Sequence, residues 1–125
     1  MSLTEIIHRN EVTTLLLRKG YNIYLPMVDH GIDFIIHHDS DGDLKMVQQK
    51  SRWTIHKKYI GRDIWIAFRS HENWYLIEHD RMIDLCARSG TQLDSTSWRE
   101  RGSYSRAHLS REQVQVYRDY LIGAA

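Results

Sequence analysis

Three side chains within one short stretch are of the types that phosphodiester hydrolysis needs. Asp33 lies in Gly31-Ile32-Asp33-Phe34, an acid inside an apolar strand pattern, and Gln48 and Lys50 close the run Val47-Gln48-Gln49-Lys50. Alternation along a strand sets Asp33 opposite Ile32 and Phe34, and residues two apart, such as Gln48 and Lys50, share a face. A hairpin through Asp39-Ser40-Asp41-Gly42-Asp43 would bring Asp33 beside Gln48 and Lys50. A hard cation takes oxygen ligands, here the Asp33 carboxylate, the Gln48 side-chain carbonyl and the Gln49 backbone carbonyl. Such an ion would neutralise phosphate charge and lower the pKa of a water. Lys50 would orient that water or stabilise transition-state charge. A lone acid in an apolar strand is costly unless paired or ligated, so Asp33 carries the most weight. Asp29, in a Val-Asp-His-Gly loop, is a turn former by default and the substitute if the register slips.

Charge is distributed in a way that suits this chemistry. Residues 1–44 hold seven acids against three bases, and residues 45–62 hold six bases and no acid. A cation site beside a polyanion site fits that arrangement, although two solvated faces would look the same. Arg52, Lys57, Lys58 and Arg62 are interleaved with Trp53 and Tyr59, a composition suited to phosphate contact and base stacking. The basic stretch Trp98 to Arg106 fits either nucleic-acid contact or self-association.

The elements that must position these groups follow from local pattern. Ser2-Leu3-Thr4-Glu5 has the form of a capping box, followed by helical spacing that Gly20 stops. Strands are expected over Tyr21–Met27, Ile32–His37, Leu44–Lys50, Asp63–Phe68 and Trp74–Glu78. Residues 51–61 are ambiguous. Arg81–Arg88 reads as helix. Residues 91–109 read as polar and irregular, and Ser110-Arg-Glu-Gln113 opens a last helix running to about Ile122. Asp39–Asp43 reads as a hairpin turn, because an EF-hand loop centred on Gly42 would start at His37 and end at Gln48, with both terminal ligands wrong. The adjacent His37 and His38 point to opposite faces and do not suit one zinc.

Composition narrows the class. With 125 residues, 42% apolar and 26% charged, the chain matches one ordinary globular domain spanning 1–125. No apolar run reaches the length of a membrane span, and the N-terminus lacks the features of a signal peptide. The lone Cys86 reads as a small core residue, and one cysteine fits a reducing, cytoplasmic compartment.

Glu11-Val-Thr-Thr-Leu-Leu-Leu-Arg-Lys-Gly20-Tyr, Gly31-Ile-Asp33-Phe and Val47-Gln48-Gln49-Lys50-Ser51, with the later strand pair Asp63-Ile-Trp-Ile-Ala-Phe and Trp74-Tyr-Leu-Ile, resemble the PD-(D/E)XK nuclease superfamily over about residues 5–85. The resemblance implies an α/β, restriction-endonuclease-like three-layer domain, with a central mixed sheet of about five strands flanked by helices. It also implies a magnesium-dependent (manganese-tolerant) DNA endonuclease, with Glu11, Asp33, Gln48 and Lys50 as the catalytic set and the first three as metal ligands. One departure is Gln48, where the superfamily usually has Asp or Glu. A neutral amide binds a hard cation less strongly, although certain intron-encoded homing endonucleases resemble this chain in using Gln. One small chain offers one site, so cutting a duplex implies a homodimer or two successive events. The competing expectations are a nucleic-acid-binding module without catalysis and a protein-interaction subunit.

Overall fold

A computed structural model describes residues 1–125. The first helix, α1 (Leu3–Arg18), begins where Ser2 Oγ accepts a hydrogen bond from the Glu5 N–H at 3.1 Å. It ends ahead of Gly20, whose φ of +95° suits glycine and where a Cβ would meet the His38 ring. The strands are β1 (Tyr21–Tyr24), β2 (Phe34–His38), β3 (Leu44–Lys50), β4 (Trp53–His56), β5 (Ile64–Ser70), β6 (Asn73–Glu78), β7 (Ser103–Arg106) and β8 (Leu121–Ala124). Two more helices are α2 (His79–Arg88) and α3 (Arg111–Tyr117). No helix is long and apolar enough to cross a membrane.

Six strands form a mixed sheet in the order β1-β2-β3-β5-β6-β8, and β4 and β7 form a separate antiparallel ribbon. The β3–β5 pair is parallel and the other pairs in the large sheet are antiparallel. The Asp39–Asp43 segment is the expected hairpin turn, closed by the His38 N–H on the Asp43 carbonyl at 2.8 Å.

Strand alternation divides the core between the two faces of the sheet. One cluster joins Val12, Leu15 and Leu16 of α1 to Phe34, Ile36, Val47, Ala67, Trp74 and Leu76. On the other face, Ile64, Ile66, Phe68, Tyr75 and Ile77 pack with Met82, Leu85 and Cys86 of α2, Tyr117 of α3, and Trp53 and Ile55 of the ribbon. Burial pushes the Cys86 thiol up to about 11, and its Sγ–H donates to the Met82 carbonyl.

Two expectations are corrected, the extent of the last helix and the irregularity of 91–109, and the segment left ambiguous is resolved. The sheet has six strands rather than about five, because the last helix stops at Tyr117 and Leu121–Ala124 pairs with the free edge of β6. That segment is too short to carry a readable period, and its pairing is decided by the neighbouring strand. The ambiguous residues 51–61 contain β4 and a 3₁₀ turn at Lys57–Tyr59. The stretch 91–109, read as irregular, contains β7, whose partner lies about fifty residues earlier in β4. The expected capping box at Ser110 is complete, with both reciprocal bonds formed.

Tyr117 joins α3 to the ribbon through its hydroxyl, which accepts from the buried Trp53 indole N–H at 3.0 Å. Tyr117→Phe leaves that N–H unsatisfied and should lower unfolding free energy by about 1–3 kcal/mol, read from urea denaturation.

Candidate active site

Strand register creates the site. β2 pairs with β3 only from Phe34↔Val47 to His37↔Leu44, whereas β5 follows β3 as far as Lys50↔Phe68. Gln48, Gln49 and Lys50 therefore have a ladder partner on one side only. Backbone polar groups at such a half-open end still need partners. The Asp33 side chain supplies one: its Oδ2 accepts from the Gln49 N–H at 2.7 Å, and the Asp33 N–H donates to the Val47 carbonyl at 2.9 Å. Asp33 was expected inside the strand, but it lies just ahead of β2, which begins at Phe34. That offset frees its side chain to cap β3 instead of joining the alternation.

A cleft of about 440 Å³ opens here between the start of α1 and the end of β3, with Glu5, His8, Asp33, Gln48 and Lys50 in its lining. Burial pushes the Asp33 carboxyl above the ordinary carboxylate range. The Gln49 N–H and Lys50 pull it back, while Asp29 and Glu5 push it further up. Asp29 thus acts on the site by charge, and its carboxylate also accepts from the Gly31 N–H in the loop.

Gln48 Oε1 is buried and has no hydrogen-bond partner. Buried carbonyl oxygens are ordinarily satisfied, and an oxygen-seeking cation in the cleft would satisfy this one. No three His, Cys, Asp or Glu side chains converge anywhere in the chain. A cation site built on Asp33 must therefore draw on the Gln48 amide rather than on a third acid. The donors present fit a hard cation better than a soft one.

Glu11 does not line this cleft. Its Oε2 accepts from the Trp74 indole N–H at 3.2 Å and lies 3.6 Å from Arg69 Nε, a buried nitrogen with no hydrogen bond of its own. The helical acid at the cleft is Glu5, six residues earlier and about 9 Å along the helix axis. Glu5 is held there because Gln49 Nε2 donates to its carbonyl at 3.0 Å. In the sequence Glu5 was read only as a capping residue. Its carboxylate is one turn from the helix start, and only the contact between α1 and β3 reveals its second environment.

The four cations expected to meet nucleic acid, Arg52, Lys57, Lys58 and Arg62, are all exposed. Lys58 Nζ lies 5.2 Å from the Tyr59 ring centroid, and Lys50 Nζ lies 5.4 Å from the same centroid. One aromatic ring thus links the cleft to the basic turn. Lys57 lies over Trp98 instead, at 5.4 Å. The turn is fastened to α2: the His56 N–H donates to His79 Nε2 at 3.1 Å, and the Gly61 N–H donates to Asp80 Oδ2 at 2.9 Å. His79 is fully buried, and burial holds its pKa down. Because Nε2 accepts the His56 N–H, the ring proton sits on Nδ1, 3.1 Å from Asp80 Oδ1. The sequence reading missed this His–Asp anchor, although adjacent His79-Asp80 at a helix start is a visible signal.

A curled mixed sheet with helices on both faces makes this a nuclease-like α/β fold. No protein-family model matches the chain, and no curated protein matches it. A solved structure described as that of a bacterial homing endonuclease, I-Ssp6803I, is similar with a TM-score of 0.55 at 17% identity, covering 98% of this chain and 88% of that one.

The raised Asp33 pKa gives a test of the site's electrostatics. A carboxyl that holds its proton to higher pH when folded costs stability once ionised, above its folded pKa. Asp33→Asn keeps an acceptor for the Gln49 N–H and removes that charge. It should raise Tm at neutral pH, and the difference should vanish below the ordinary carboxylate range, as followed by thermal denaturation across pH.

Proposed function

We propose that the chain is a metal-dependent endonuclease of the PD-(D/E)XK type that hydrolyses phosphodiester bonds in DNA, with Gln48 in the position usually held by an acid. The observation that carries this reading is the gathering of Asp33, Gln48 and Lys50 around one cleft, with Gln48 Oε1 buried and unpartnered. The similarity to a homing endonuclease supports the same reading at the level of fold.

Asp33 and Gln48 would hold magnesium, or manganese in its place, and Glu5 takes the place assigned by resemblance to Glu11. The chemistry a bound magnesium supplies is charge neutralisation on the phosphate and a lower pKa for a nearby water. Lys50 Nζ is a donor only, and it orients water or stabilises the charge that builds on phosphate oxygen. The Gln49 N–H fixes Asp33, leaving its other carboxylate oxygen for the ligand role. The exposed cations Arg52, Lys57, Lys58 and Arg62 bind the DNA backbone. Each chain offers one such cleft, so cutting both strands takes a symmetric homodimer or two successive events.

Nicking of supercoiled plasmid in magnesium tests the reading. Lys50→Ala and Glu5→Gln should each reduce the rate about 100-fold or more. Glu11→Gln should keep cleavage and lower stability by about 1 kcal/mol, through loss of the Arg69 pairing. Absence of cleavage at every magnesium and manganese concentration would reject the enzyme.

The amide of Gln48 favours a second reading, a DNA-binding module on the same fold that has lost catalysis. Gln48→Glu adds the missing charge and should raise magnesium affinity, read as a larger magnesium-induced rise in Tm. In an enzyme the wild-type chain also cleaves, whereas in a binding module it does not.

A further inference from the structure

We propose that the β4–β7 ribbon reads base sequence from the major groove of the DNA whose backbone the cleft engages. The inference rests on the endonuclease reading above. The ribbon pairs Trp53↔Arg106, Thr54↔Ser105, Ile55↔Tyr104 and His56↔Ser103. Trp53 and Ile55 are fully buried in the core, and Tyr104 packs against it. Directly opposed residues share a face, so Thr54 with Ser105 and His56 with Ser103 form the other face. That outer face carries short, uncharged polar groups. Ser105 is exposed and Thr54, His56 and Ser103 are half-buried. Thr54 Oγ1 donates to the Arg52 carbonyl at 3.0 Å and keeps its acceptor lone pairs, whereas the serine hydroxyls can donate or accept toward a base edge. His56 Nδ1 already accepts from the Lys58 N–H. Burial, with Lys58 and Lys50 nearby, lowers the His56 pKa, which favours a neutral ring.

Cations stand at both ends of this face. Arg52 precedes β4, and Lys57 and Lys58 follow it. The Lys57 N–H donates to the Gly102 carbonyl at 2.7 Å, which brings the turn carrying Arg99, Glu100 and Arg101 to the same end. Those two arginines are exposed and outweigh the single glutamate. Arg52 and Lys57 are five residues apart, about 17 Å of extended chain. The major groove of B-form DNA is about 12 Å wide and admits a two-stranded ribbon. Cations at that spacing reach the phosphates on both walls, while the hydroxyls between them face the base edges. The deep, narrow major groove of duplex RNA would not admit the ribbon, so the substrate class is duplex DNA. Arg52 lies two residues beyond Lys50, and Lys50 and Lys58 share the Tyr59 ring, so groove contact and cleft act on one molecule.

The test is selection of bound duplexes from a randomised DNA pool, with circular dichroism and Tm confirming that each variant folds. The wild-type chain should enrich a motif. Thr54→Ala with Ser105→Ala should erase preference at a contiguous block within it and lower affinity for the best site about 10-fold. Ser105→Asn should shift one position toward adenine. Lys57→Ala and Arg101→Ala should instead weaken all duplexes alike, and each should reduce the slope of log affinity against log salt by about 1. An unchanged motif in the serine and threonine variants, or a change in their oligomeric state without a change in motif, overturns the ribbon's role and leaves the endonuclease reading standing. Wild-type binding that enriches no motif does the same. Failure of the wild-type chain to bind any duplex removes both.

Discussion

The bond from the Gln49 N–H to the Asp33 carboxylate holds the rest of the site in place. It exists because β2 starts one pair too late to cover the end of β3, while β5 continues alongside it. A ladder that ran to completion would satisfy the Gln49 N–H with a carbonyl and leave no call for a side chain there. The stagger converts a backbone requirement into a fixed carboxylate, and it leaves Gln48 and Lys50 projecting where the sheet thins. The same carboxylate is partly withdrawn from water, which raises the free energy of its charged form. Local stability is thus set against keeping an ionised carboxylate at the end of the sheet.

The two faces of the sheet divide the labour. On one face, α1 packs its apolar stripe against Phe34, Ile36 and Val47, and the Gln49–Glu5 bond fixes the start of the helix beside the cleft. Glu11 serves that packing by balancing Arg69 and receiving the Trp74 indole N–H. On the other face, α2 does for the basic turn what α1 does for the cleft. Its first residues, buried His79 and Asp80, take backbone N–H groups from His56 and Gly61. Both helices therefore present their beginnings to the loops that carry charge. These loops are positioned by hydrogen bonds to the helix starts.

Legibility from the sequence followed the range of the interactions. The helix starts at Ser2 and Ser110, the hairpin turn at Asp39–Asp43 and the strands around Ile36, Val47 and Ile66 are specified by near neighbours, and each was readable. The grouping of Asp33, Gln48 and Lys50 was readable for the same reason, since a short hairpin joins them. Features set by distant partners were not. β7 is polar, and its strand character comes from pairing with β4; β8 comes from the bare edge of β6. The exchange of Glu11 for Glu5 at the cleft depends on where α1 crosses the sheet. Helical spacing alone says which residues share a stripe and says nothing of how far along the axis the neighbouring strand ends.

The single thiol has a practical consequence. Cys86 is enclosed among Met82, Leu85 and Tyr117, and its proton is held well above neutral pH. Thiolate is the reactive form, so alkylating reagents and maleimide dyes should pass over this position in the folded chain. A cysteine placed on the surface, at Arg62 or in the turn after α2, would then be the one reactive handle. Spectroscopic labels could be attached without first rebuilding the interior.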